Sequence, residues 1–163
     1  GPGSYTGLRI GVSAAKGLCY ALDIPLLAIN TLEMMYAGYA PPIVDPATLY
    51  VPMLDARRME VYLSIYESDG SLLVPTEARI IDAHSFDLYP DKNLILFGSG
   101  AAKLAPIFED NSHVKIDTTF THTSSAMSIA AYRKFEHGEF EDLVYFEPYY
   151  LKEFIAILPK KVI

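Results

Sequence analysis

An α/β fold is predicted for this chain by three observations. Apolar residues recur at helical spacing over residues 4–22, they alternate with the strand period of two over residues 59–66, and a short apolar run at residues 93–97 leads through a glycine turn into a helical segment. Of the 163 residues, 51% are apolar and 20% charged, the balance of a packed globular protein rather than a disordered one.

The first element spans Ser4 to Leu22. Tyr5, Leu8, Val12, Ala15, Cys19 and Leu22 form an amphipathic stripe, and Ser4 or Thr6 can cap its start. Gly7, Gly11 and Gly17 each cost about 1 kcal/mol relative to alanine inside a helix, so something beyond local propensity must hold this segment. Ser4, Gly7, Gly11 and Ala14 make a second, very small face where another backbone can approach closely. Both faces are expected to be buried. Asp23, Ile24 and Pro25 break the helix, Leu26 to Ile29 reads as a short buried strand, and Thr31 can cap a helix through Tyr39 carrying Leu32, Met35 and Tyr36. Three prolines between Pro41 and Pro46 end helix and resist strand pairing, which places a boundary between residues 1–43 and 44–163.

Beyond the boundary, Leu49 to Leu54 reads as a strand and Asp55 to Arg58 as its turn. Met59, Val61, Leu63 and Ile65 then alternate with Glu60, Tyr62, Ser64 and Tyr66 as a second strand. Asp69-Gly70 turns the chain into a third strand, Leu72 to Ile81, so an antiparallel meander is expected. A short helix over Ala83 to Leu88 follows. Asn93 to Phe97 is a buried strand, Gly98 to Gly100 a tight turn, Ala101 to Phe108 a helix and Val114 to Ile116 a further strand. Ser124 or Ser125 caps a last helix carrying Met127, Ala131 and Phe135 and ending at Gly138, after which residues 144–151 run extended around Pro148.

Several chemistries lack the residues they need. The formal charge of −7 does not favour nucleic acid or anionic membrane surfaces. The single cysteine, Cys19, reads as a small buried apolar residue and fits a reducing cytoplasmic setting. No two of the four histidines, His84, His113, His122 and His137, stand at the i, i+4 spacing that turns both imidazoles toward one zinc ion, so no metal site is expected. There is no Gly-Lys dipeptide for a phosphate loop. The dinucleotide fingerprint is half met at Gly98 and Gly100 but has Lys103 at its third glycine position, and Gly11 to Ala15 falls short of the nucleophile elbow. Asp55, Arg57, Arg58 and Glu60 crowd opposite charges into one turn, which suits either a ligand or partner carboxylate or a solvated hairpin tip.

The opening residues Gly1 to Gly11, GPGSYTGLRIG, resemble the GPGS[FY]TGLRIG signature of the TsaB (YeaZ) family. Residues 55–62, DARRMEVY, resemble its DARRGEVY hairpin, Gly98 to Ala101 its glycine turn, and Pro148 to Lys152 its closing P-x-Y-L-R. Met59 replaces a glycine and Lys152 an arginine of that pattern. The resemblance implies an actin-like, duplicated ribonuclease-H-like α/β fold, here with its first lobe truncated at the N-terminus: residues 1–43 are the remnant of that lobe and 44–163 the second lobe. It also implies a non-catalytic scaffold for TsaD in making threonylcarbamoyladenosine on tRNA, beside the ATPase TsaE. No cofactor and only indirect contact with tRNA are implied, with a homodimer when the chain is alone. The expected partner surface is Ser4, Tyr5, Gly7, Leu8, Gly11, Val12, Ala14 and Ala15; the turn suited to a ligand or partner comprises Asp55, Arg57, Glu60, Gly98 and Gly100. A reading from another class, an actin-like ATPase or hydrolase with a degenerate site around Asp55, Arg57 and Gly98, is separated from the scaffold by nucleotide binding.

Overall fold

The computed structural model describes residues 1–39 and 44–152. Its centre is a five-stranded mixed sheet of β1 (Thr48–Asp55), β2 (Glu60–Glu67), β3 (Leu72–Ile80), β4 (Asn93–Phe97) and β5 (Val114–Asp117), in the spatial order β3-β2-β1-β4-β5. The expected meander is present: β1 pairs antiparallel with β2, and β2 with β3. On the other side β1 pairs parallel with β4, and β4 with β5.

The period-two pattern sorts the core into two layers. Leu49, Val51 and Met53 of β1, Val61, Leu63 and Ile65 of β2, and Leu94 and Leu96 of β4 face one side, under Ile81, Phe86, Ala101, Leu104 and Phe108. Tyr50, Leu54, Tyr66 and Phe97 face the other, under Leu32, Met34 and Met35 of a helix at Thr31–Tyr39. The boundary read from the prolines assigns that helix to the N-terminal part, and in space it lies on the sheet formed by residues 48–117. Residues 41–43 of the proline segment lie outside the described residues.

Pro52 and Pro75 sit within strands. Pro75 lies on the edge strand β3, where a missing N–H costs little, and the β2–β3 register shifts beside it. Pro52 lies in the sheet interior. The buried hydroxyl of Ser64 on β2 bonds to Thr76 Oγ1 at 3.0 Å, and Asn30 Nδ2 donates to the same oxygen at 2.9 Å.

We label the helices α1 (Tyr5–Leu22), α2 (Thr31–Tyr39) and α3 (Ser128–Glu136). Ser4 caps α1, its side chain accepting from Gly7 N. The cap of α2 is Asn30 rather than Thr31: Asn30 Oδ1 accepts from Leu32 N at 2.8 Å. Several expected elements are replaced. Residues 26–29 form no strand; Leu26 makes an isolated antiparallel bridge to Glu141, because no neighbouring strand is placed to extend the pairing. Residues 83–88 are consecutive turns built on Asp82, which accepts from His84 N and Ser85 Oγ. The expected helix at 101–108 is a 3-10 segment, Ala102–Ile107, with Pro106 inside it, and proline cannot donate the bond an α-helix requires there. Ser124 and Ser125 open a 3-10 turn, Ser124–Met127, and α3 starts only at Ser128 without a side-chain cap bond.

Candidate functional site: the open face of α1 and the hairpin tip

Neither face of α1 is buried as the residue pattern suggests. Within the helix only Cys19 is buried, and Leu8, Val12 and Ala15 are half-buried, while Tyr5 and Leu22 of the expected inner stripe are exposed. The reason is the surface beneath. The inner side of α1 meets irregular backbone: Lys16 Nζ donates to the carbonyls of Val144 (2.9 Å) and Phe146 (3.1 Å), Cys19 Sγ to that of Pro25, and the Tyr5 ring lies 5.0 Å from that of Tyr150. Between α1 and these segments lies a cavity of about 360 Å³, with Gly11, Val12 and Ala15 on one side and Leu27, Ile29 and Phe146 opposite.

The expected partner residues therefore divide. Ser4, Tyr5, Gly7, Gly11 and Ala14 are exposed, Tyr5 beside Tyr150 and Gly11 at the rim of the cavity, whereas Leu8, Val12 and Ala15 turn inward. A Cβ at Gly11 would meet nothing within 4 Å, so the open side of the helix has room for a side chain. Ile10 (66% exposed), Leu18 (62%) and Leu22 (63%) widen this side into an apolar surface. Ile10 and Leu18 escaped the sequence reading because the inner stripe already accounted for the helical period.

The second set of residues is brought together. Asp55 ends β1, and the Gly98 to Gly100 turn follows β4, so both stand at the carboxyl ends of adjacent parallel strands. Asp55 N donates to Ser99 Oγ at 3.3 Å and Arg57 N to Asp55 Oδ1 at 3.0 Å. Lys103 Nζ forms an ion pair with Asp55 and donates to the Glu60 carbonyl at 2.7 Å, and Lys152 pairs with the Glu60 carboxylate. The hydrogen bond from Lys103 holds the Asp55 carboxyl below its ordinary pKa. Lys103 and Lys152 were not among the expected site residues; they lie far along the chain from their partners, so no local spacing points to them.

The two glycines serve packing here. Gly98 has φ +96°, and a Cβ on it would lie 2.5 Å from the Met53 carbonyl oxygen, while one on Gly100 would lie 2.8 Å from the Leu54 carbonyl carbon. Their closeness to β1 is the backbone-on-backbone contact that only glycine permits, and Gly100 N donates to the Met53 carbonyl. At this end of the sheet the carboxylates of Asp55 and Glu60 are paired with Lys103 and Lys152. Among the described residues no three His, Cys, Asp or Glu side chains converge as a metal site; His84 lies against Asp87 at 2.9 Å and His137 stands 3.8 Å from Glu139.

A family model described as TsaD, tRNA N6-adenosine threonylcarbamoyltransferase, matches residues 1–154. The chain belongs to the TsaD family. Within it, the curated relatives place the chain with TsaB (YeaZ). It is 38% identical over 96 residues to a Bacillus subtilis (strain 168) protein named tRNA threonylcarbamoyladenosine biosynthesis protein TsaB, covering 59% of this chain and 35% of that one. An Escherichia coli (strain K12) protein of the same name is 39% identical over 69 residues, 42% of this chain and 29% of that one. A third, from Haemophilus influenzae, is 41% identical over 64 residues, 39% of this chain and 26% of that one. The matches thus span about a quarter to a third of the curated relatives' length. Two solved Pseudomonas aeruginosa structures share the fold: one described as an uncharacterized protein with similarity to peptidase YEAZ (TM-score 0.65) and one as YeaZ (TM-score 0.64). Each is 21% identical and covers 93% of this chain; the chain spans 70% of the first and 71% of the second. Together with the TsaD-family match, they support the actin-like assignment of the mixed sheet.

Proposed function

We propose that this TsaD-family chain is a non-catalytic partner of a TsaD-type subunit in making threonylcarbamoyladenosine on tRNA, and that α1 is its association surface. The carrying observation is the open side of α1, where Gly7, Gly11 and Ala14 leave a shallow track beside Ile10, Leu18 and Leu22. A helix of an approaching subunit settles into such a track, burying apolar area that water otherwise covers. In the absence of that subunit a second copy of the chain takes its place, giving a homodimer. A TsaE-type ATPase joins the larger complex, tRNA is held by the other subunits, and the setting is cytoplasmic. No described helix is long and apolar enough to cross a membrane.

The pairing of Asp55 with Lys103 and of Glu60 with Lys152, beside glycines packed on β1, supports a structural role for the hairpin end over a nucleotide-hydrolysing one. The experiment is Gly11→Arg, followed by sedimentation or light scattering of the chain alone and with the TsaD-type subunit. A Cβ at this position meets nothing within 4 Å, and arginine is about 1 kcal/mol better than glycine in a helix, so the monomer is expected to keep its stability. Association is expected to fall through steric overlap and a buried unpaired charge. Undiminished binding by a folded variant would place the interface elsewhere.

A further inference from the structure

The hairpin tip between β1 and β2 holds two arginines in a backbone conformation that glycine, asparagine or aspartate more commonly fills in tight hairpins. Arg57 (φ +70°) and Arg58 (φ +52°) are consecutive non-glycine residues in the left-handed region, where L side chains cost roughly 1–2 kcal/mol each. The tip is fixed on every side. Ala56 N donates to the Glu60 carbonyl (3.1 Å), Glu60 N to the Arg57 carbonyl (3.2 Å) and Ile81 N to the Met59 carbonyl (3.0 Å).

Both arginine residues are exposed, and among the described residues neither guanidinium takes part in an ion pair. The acids within reach are already engaged, Asp55 by Lys103 and Glu60 by Lys152. Two exposed guanidinium groups on a fixed backbone are therefore without an ion-pair partner among the described residues, Arg57 acting on Asp55 only as a nearby charge, on a protein of net charge −7.

We infer that the Arg57-Arg58 tip is a second docking element, which grips a carboxylate-bearing patch on the TsaD-type subunit. The inference rests on the association proposed above. A guanidinium fork matches a carboxylate bidentately, and a locked backbone lowers the ordering cost of making that contact. The surroundings favour a protein over a nucleic acid. Met59 (38% exposed) and Ile80 (71% exposed), the latter opposite Glu60 in the β2–β3 register, lie beside the arginines, and arginine with apolar side chains is the composition of a protein interface. A nucleic acid needs many phosphate contacts to overcome the net negative charge, and two cations do not supply them.

The test compares the wild-type chain with R57G/R58G, each titrated against the TsaD-type subunit of the same genome at low and high salt. Glycine suits the left-handed backbone, so the variant is expected to melt at the same or a higher temperature than wild type. Its affinity is expected to drop about tenfold or more at low salt and to lose most of its salt dependence. A loss of affinity without a loss of melting temperature is an outcome that a purely structural role does not produce. Equal affinity and equal salt dependence in the two proteins would overturn the docking role while leaving the association itself intact. A wild-type chain that does not bind the subunit at all would overturn both. Loss of direct tRNA binding by the variant, with its subunit affinity unchanged, would overturn the protein-carboxylate assignment in favour of phosphate.

Discussion

Gly98 shows how a single residue decides a packing contact. Its Cβ position is occupied by the β1 backbone and its φ is +96°, so Gly98→Ala must both strain the turn and push β4 from β1. Destabilisation of about 3 kcal/mol is expected from the two effects together, measured by urea unfolding. A loss below about 1 kcal/mol would show that the turn relaxes freely. At this scale the sequence was legible in part. Glycines after an apolar run mark a strand-to-helix turn, but whether they serve a phosphate or a neighbouring strand depends on what lies opposite them. Here that is Met53 and Leu54, more than forty residues earlier in the chain.

Among the elements, α2 controls one whole layer of the core. Met35 and Leu32 are fully buried over Tyr50, Leu54, Tyr66 and Phe97, so Met35→Ala is expected to cost about 2–5 kcal/mol in chemical denaturation. A tyrosine at the end of α2 and one on the sheet beneath it add a pH dependence. Burial first, and then the hydrogen bond to Asp117, push Tyr39 up to about 12; burial first, and then the charge of Glu33, push Tyr66 up to about 12. The folded protein thus holds these two protons more tightly than the unfolded chain, whose tyrosines titrate near 10. Their contribution to stability is complete below about pH 10 and is lost as pH rises from there through about 12. Melting temperatures recorded across that range should fall, and Tyr39→Phe combined with Tyr66→Phe should flatten the fall. A fall of the same steepness in the double variant would assign it to other groups.

Across the whole molecule, the two parts divided at residues 43 and 44 are not equally self-sufficient. The sheet of residues 48–117 closes one face with Ile81, Phe86, Leu104 and Phe108, all from its own side of that division, but it closes the other largely with α2. A chain starting at residue 44 should therefore bare Tyr50, Tyr66 and Phe97. Its thermal transition is expected to be lower and broader than that of residues 30–163, which keep α2 and its Asn30 cap. Equal transitions in the two proteins would show that α2 is dispensable to the sheet. Residue 30 is the informative start because α1 rests on the segments around residues 25 and 144–150, so its removal tests a different contact.

The sequence by itself determined the five strands of the sheet, the antiparallel meander and the family, and narrowed the cap of α1 to Ser4 or Thr6, because each is written in local periodicity or in a contiguous motif. Val61, Leu63 and Ile65 are inward and Tyr62 half-buried on the opposite face, as alternation alone requires. Tertiary structure decided the rest. Residues 26–29 have strand composition but make only one bridge, since pairing needs a neighbour that composition does not supply. The 83–88 turns and the 3-10 segment at 102–107 replace expected helices where Asp82 and Pro106 redirect backbone hydrogen bonds. Which side of α1 stays open, and which lysines meet Asp55 and Glu60, depends on contacts between residues far apart in the chain. A hydrophobic period states that a face is suited to burial; only the packed molecule settles whether anything covers it.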